Sequence, residues 1–214
     1  RRVTVAGNPR LTALSRHKVS RDPHFYQKKY ELHSTSYILY TGINPKVYDD
    51  EPRLVGLIHD ELEKGLGEKC PGILIKPNPM DSNPERWAGL ASKENVGIIR
   101  AGWGWTPHAD FNLPSFAADR EWFDLLHYCD CTMNVASTVT VESLTCGKPV
   151  INIGFDHTGV GSEIFARYSH APFYNPLLAR RDVHLVAEPQ NLAVAYIKCA
   201  NNQSIDDLDE VIQL

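Results

Sequence analysis

Five short apolar runs constrain this chain more than any other feature. Tyr37–Thr41 (YILYT), Gly72–Lys76 (GILIK), 96–100 (VGIIR), 131–135 (CTMNV) and Val150–Ile153 (VINI) each hold only four or five residues. None shows the sustained polar–apolar alternation of a strand with one wet face. Strands buried on both faces belong to parallel sheets covered by helices on both sides. The segments between them carry helical periods. Leu54, Val55, Leu57, Ile58 and Leu62 repeat on one face of a helix over 51–64, with Gly65 as its expected stop. Asn83-Pro84-Glu85 has the chemistry of a helix start. Further helices are expected over 120–128, 139–146 and 191–200, with Gly147 closing the second of these. Residues 3–6 read as one more short strand. The expected fold is therefore α/β, a doubly wound and mostly parallel, Rossmann-like sheet.

Charge is unevenly placed. Residues 1–30 carry eight Lys and Arg against one acid, Asp22, which leaves 14 basic and 25 acidic residues in 31–214. Such a head is either a solvated connecting segment or a surface for an anionic lipid or a polyanion. Phe25, Tyr26 and Tyr30 interleave with it, but no nucleic-acid motif accompanies them, so no nucleic-acid partner is expected. The five cysteines include no CxxC pair, which fits a reducing, cytoplasmic setting. His127, Cys129 and Cys131 supply too few ligands for a zinc site, and no metal is expected. No apolar run reaches the ~20 residues of a membrane span.

In doubly wound sheets ligands sit at the carboxyl ends of the strands, so the loops there matter most. After the strand at 131–135, Ala136-Ser137-Thr138 form a small polar turn leading directly into a helix, a favourable place for phosphate. Either hydroxyl serves equally well as a plain helix cap. Glu142 lies four residues after Thr138, one too many for a capping box. It is either a first-turn carboxylate or an acceptor for sugar hydroxyls. The segment 101–119 is long for a loop and holds Trp103 and Trp105, which either stack on a base or pack beneath the loop. His108 and Asp110 in the same loop have acid–base side chains. Asp156 and His157 follow the strand at Val150–Ile153, where Asp156 has a capping role as its alternative.

Ser137-Thr138, Glu142 and Gly147-Lys148-Pro149-Val150-Ile151 together resemble the "S-T…E-A…G-K/V-P-V-I" segment in the carboxyl-terminal domain of GT-B glycosyltransferases. Surface-polysaccharide transferases are the nearest in pattern, with CDP-glycerol glycerophosphotransferases and UDP-N-acetylglucosamine 2-epimerases as kin. Three more pieces follow in the family's order. Val5-Ala6-Gly7-Asn8-Pro9-Arg10 resembles "V-x-G-N-P-R", Ile75-Lys76-Pro77-Asn78-Pro79 resembles "I-R-P-H-P", and the residues from Phe123 to Asp130 resemble the "L-L-x-x-A-D" helix. The departures are Lys76 for Arg and Asn78 for His, and the second removes a titratable group.

The resemblance implies a nucleotide-sugar site. Gly42, Lys76, Asn78, Ala101, Gly102, Trp103, Ala136, Ser137, Thr138 and Glu142 would bind the nucleotide, with the Ser137-Thr138 turn on the diphosphate and Glu142 on the ribose. Asp156 and His157 would approach the sugar or distal phosphate. It implies no metal and no cofactor, only a UDP- or CDP-linked sugar as substrate and a carbohydrate acceptor held by a separate amino-terminal domain. Residues 1–36 then read as the end of that domain and a basic connection, 37–201 as the nucleotide-sugar domain, and 202–214 as an acidic tail. The expected function is donor binding for glycosyl transfer in surface carbohydrate biosynthesis, in the cytoplasm or peripherally at the inner membrane face. The chain is expected to be half an enzyme, inactive alone, with its catalytic base elsewhere. Glycerophosphotransfer, UDP-sugar 2-epimerisation and a non-catalytic nucleotide-binding module stand as alternatives.

Overall fold

A computed structural model describes residues 8–99, 116–158, 160–172 and 174–201. The expectations placed on 3–6, on Ala101, Gly102, Trp103, Trp105, His108 and Asp110, and on the acidic tail lie outside these residues.

Among the described residues six strands form one sheet: β1 (Tyr37–Thr41), β2 (Gly72–Lys76), β3 (Val96–Ile98), β4 (Cys131–Asn134), β5 (Val150–Ile153) and β6 (Val183–Val186). All neighbours are parallel, in the order β3-β2-β1-β4-β5-β6. The chain builds outward from β1 to β3, then returns to the other side of β1 for β4 to β6. The order therefore reverses between β1 and β4, and the connections leaving the carboxyl ends of those two strands run in opposite directions along the sheet. Thr41 sits in register with both Lys76 and Asn134 at that edge.

Helices cover both faces. On one, α3 (Glu51–Leu66), α7 (Val160–Ser169) and α9 (Leu192–Asn201) bury Leu54, Ile58, Leu62, Ile164 and Leu192 against Ile38, Ile73 and Ile151. Each fully buried aliphatic side chain contributes about 1.5–3 kcal/mol. On the other, α5 (Phe116–Tyr128) brings Trp122, Phe123, Leu125 and Leu126 onto Tyr37, Leu39 and Leu74. There α6 (Val139–Thr145) and α8 (Asn175–Leu178) cover Val150 and Val183. Two short helices, α1 (Pro9–Ser15) and α2 (Pro23–Lys29), bury Leu14, Tyr26 and Tyr30 in the α5 layer. They are pinned by the buried Asp124, which accepts bonds from the Ser20 N–H, the Ser20 hydroxyl, the Tyr26 hydroxyl and His17. The short α4 (Ala88–Ala91) follows the turn begun at Asn83.

Several expected boundaries move. The α3 helix runs past Gly65 and stops at Gly67, whose φ of +56° a side chain would resist. Gly65 instead lets α9 approach, since a Cβ there would lie 2.5 Å from the Ala193 Cβ. The α5 helix starts at Phe116, four residues before the expected 120. The expected strand at 96–100 is shorter, ending at Ile98. β6 has no counterpart among the sequence expectations, because it is an edge strand with Leu185 53% exposed and lacks the all-apolar signature. No described helix is long and apolar enough to cross a membrane.

Candidate functional site at the strand switch point

A cleft of about 180 Å³ opens where the strand order reverses. Its walls are Gly42, Ile43 and Asn44 after β1, Asn78 after β2, Ala136 and Ser137 after β4, and Tyr168 from α7. Four residues expected from the sequence, Gly42, Asn78, Ala136 and Ser137, thus meet in one place. Gly42 is small of necessity: a Cβ would sit 3.0 Å from the Asn78 nitrogen and 3.2 Å from Pro77 Cα. Thr41 also lines the cleft, and its hydroxyl is buried with no hydrogen-bond partner among the described residues. Such orphaned groups are uncommon and call for an explanation.

The turn after β4 is built from below. Asn134 Oδ1 accepts the Ser137 N–H at 2.8 Å, which fixes the amide so that Nδ2 donates to Thr140 Oγ1 at 3.3 Å. The Thr140 hydroxyl then donates to the Tyr174 oxygen at 2.8 Å, and the Tyr174 hydroxyl to Asn152 Oδ1 at 2.7 Å. This buried chain ties the turn to β4, β5 and α8. The turn itself is strained, since Ala136 has φ +51° without being glycine. Its amide supply is smaller than the sequence suggests. Besides the Ser137 N–H, the Val139 N–H is taken by the Ser137 hydroxyl at 3.2 Å, so Ser137 rather than Thr138 does the capping. The Thr138 N–H remains unclaimed among the described residues.

A second cluster forms on the α5 side. Glu142 is pinned from two directions: Arg10 Nε donates to Oε1 at 2.7 Å and Trp122 Nε1 to Oε2 at 2.6 Å. Arg10 also donates to Asp119 at 2.9 Å. Lys76 lies with its Nζ 3.8 Å above the Trp122 ring and forms no ion pair among the described residues. Burial lowers the Lys76 pKa, and the nearby Glu142 charge works against that. Each Glu142 oxygen keeps a second lone pair, so the carboxylate can still accept a pair of hydroxyls.

Asn78 braces the cleft. Its side chain donates to Gly42 O at 3.3 Å and accepts the Met80 N–H at 2.9 Å, so both ends hold backbone. Asp156 accepts the Thr158 N–H and hydroxyl, while His157 Nε2 lies 3.0 Å from Asp50 Oδ2. These two residues group around the start of α3 and do not line the cleft.

Sequence reasoning gave no functional reading to Glu51, which opens α3 and is fully buried. Its Oε1 accepts the Ile43 N–H at 2.7 Å and the Tyr40 hydroxyl at 2.9 Å. Arg86 Nη2 stands 3.5 Å from Oε2, and the same guanidinium pairs with Asp81. Burial pushes the Glu51 carboxyl up to about 7 against the Ile43, Tyr40 and Arg86 contacts that favour its charge. It therefore holds the floor of the cleft from behind. The available signal was its place: an acid one helix start beyond the first strand's carboxyl end.

Fold and cleft together define a doubly wound, Rossmann-like domain with a cleft at the topological switch point. No family model and no curated protein sequence matches the chain. Solved structures do match in fold. A variant of the wall teichoic acid polymerase TagF is 16% identical with a TM-score of 0.59, covering 97% of this chain and 46% of that one. A second TagF structure, soaked with CDPG, is 18% identical with a TM-score of 0.53, covering 97% and 44%. A putative UDP-N-acetylglucosamine 2-epimerase from Listeria monocytogenes is 16% identical with a TM-score of 0.51, covering 98% and 47%. The chain thus spans under half the length of each.

Proposed function

We propose that the chain is the nucleotide-sugar-binding half of a GT-B glycosyltransferase used in surface carbohydrate assembly. The observation that carries this reading is the cleft at the β1–β4 switch point with the orphaned Thr41 hydroxyl in its wall. The fold neighbours support it, since one is a wall polymer polymerase and another is named for a UDP-sugar. In this reading the diphosphate rests on the Ala136–Thr138 turn, where the Thr138 N–H is open to it, and the buried Thr41 hydroxyl lies behind in the cleft wall without a partner among the described residues. Lys76 supplies positive charge beside the departing diphosphate. Glu142 takes the ribose hydroxyls on its two remaining lone pairs, held steady by Arg10 and Trp122. Asp156 and His157, which stand at the start of α3 rather than in the cleft wall, are assigned to the sugar or distal phosphate in this reading. The donor is UDP- or CDP-linked, and acceptor and catalytic base come from a separate domain.

Calorimetric titration of the chain with UDP and CDP tests this. Glu142→Ala removes a charged acceptor worth about 1.5–3 kcal/mol, so affinity drops roughly tenfold or more. Equal affinity in the two proteins would remove Glu142 from the site. The epimerase-like neighbour gives a second reading, UDP-sugar 2-epimerisation, some standing. Product analysis with a UDP-sugar and the full-length enzyme separates the two.

A further inference from the structure

A groove of about 310 Å³ runs between α2 and the first half of α5, away from the switch point. Arg21, Phe25 and Lys29, four residues apart, line one wall, and Arg120 and Glu121 line the other. Three cations thus face one carboxylate, and that carboxylate is already engaged. Glu121 Oε1 accepts from Lys29 Nζ and from the Tyr30 hydroxyl. The neutral donors of the groove are engaged as well, because the hydroxyls of Ser20 and Tyr26 both donate to Asp124. What stays open is cationic. Arg120 and Arg21 are exposed and form no ion pair among the described residues, and the Arg21 guanidinium lies 5.2 Å from the centre of the Phe25 ring. Phe25 itself is 43% exposed.

Two planar guanidinium forks across a concavity match the oxygens of a phosphate, which they bind in paired hydrogen bonds. The exposed aromatic face beside them suits an apolar or planar group attached to that phosphate. The surroundings reinforce the sign, since Arg16, Lys18 and Lys28 lie in the same segment of an otherwise acidic chain. We propose that this groove is a second anion site, taking the phosphate of a mono- or diester that carries an apolar or aromatic group.

Two probes on the whole chain test it and distinguish a soluble ester from a lipid headgroup. One is phenyl phosphate, followed by amide NMR shifts. The other is vesicles of phosphatidylglycerol in phosphatidylcholine, followed by co-sedimentation at low and high salt. Binding is expected to move the amides of Phe25, Lys29, Ala117 and Arg120. Reversing both forks (Arg21→Glu with Arg120→Glu) should weaken binding at least tenfold, and added salt should weaken it further. The control Lys64→Glu, on α3 across the sheet, should change affinity less than twofold. Phenyl phosphate binding without vesicle binding assigns a soluble ester, and vesicle binding lost in the double variant assigns a lipid headgroup. Should the double variant misfold, Arg21→Gln and Arg120→Gln singly should each weaken binding about threefold. The proposal is overturned if phenyl phosphate leaves the groove amides unmoved and the vesicles do not co-sediment the chain, or if the charge variants bind as the wild type does.

Discussion

Glu51 offers the sharpest test of how the cleft is held. Its carboxyl is held near 7 in the folded chain against an ordinary value of 4.5, because burial disfavours the charge more than Ile43, Tyr40 and Arg86 stabilise it. Between those two values the folded chain binds more protons than the unfolded one. Stability therefore falls as pH rises through this window and levels off above about 7. Integrated from pH 5 to pH 8, the loss at this one group is about 2.5 kcal/mol, or roughly 5–10 °C in melting temperature for a chain of this size. Glu51→Gln imitates the protonated acid: its carbonyl still accepts the Ile43 N–H and Tyr40 hydroxyl, and it carries no charge to desolvate. Other groups titrate too, with Asp124 and Asp60 held below their usual range, so the informative quantity is the difference between two profiles. Urea unfolding at several pH values should give a wild-type slope steeper than that of the variant by about 2.5 kcal/mol over the window. Parallel profiles would refute the assignment of a strained carboxyl behind Gly42 and Ile43.

Further outcomes follow from the same geometry. Tyr174→Phe keeps the ring but strips the hydroxyl between Thr140 and Asn152, and should cost about 1–3 kcal/mol in urea unfolding; no measurable loss would break the proposed chain beneath the turn. Arg10→Ala should weaken UDP and CDP binding roughly fivefold by releasing Glu142. The same change in a Glu142→Ala background should add nothing, and an additive double mutant would show that Arg10 acts elsewhere.

Five of the six described strands were legible because burial on both faces leaves a short, mostly apolar run, as in YILYT and GILIK. β6 was not, since this edge strand exposes Leu185 and half-exposes His184 and so lacks the unbroken buried run. The helices α1 and α2 are only seven residues long, too short for a period. Their signatures are the caps, Asn8 before Pro9 and Asp22 before Pro23, each accepting a first-turn N–H. The site divides in the same way. Gly42, Asn78, Ala136 and Ser137 were legible because strand ends and turn chemistry are local. The bond from Arg10 to Glu142 spans 132 residues, and only the packing of α1 on α6 brings them together. Glu51 reads locally as an ordinary helix start, and only the fold shows that Ile43 and Tyr40 close over it.

The central claim is that nucleotide occupies the switch-point cleft. Amide NMR on the labelled chain, titrated with UDP and with CDP, tests it most directly. The account predicts that the shifts concentrate at Gly42, Ile43, Ser137 and Thr138, with the α6 amides around Glu142 following. No shifts at millimolar nucleotide, or shifts confined to residues away from the β1 and β4 ends, would contradict it.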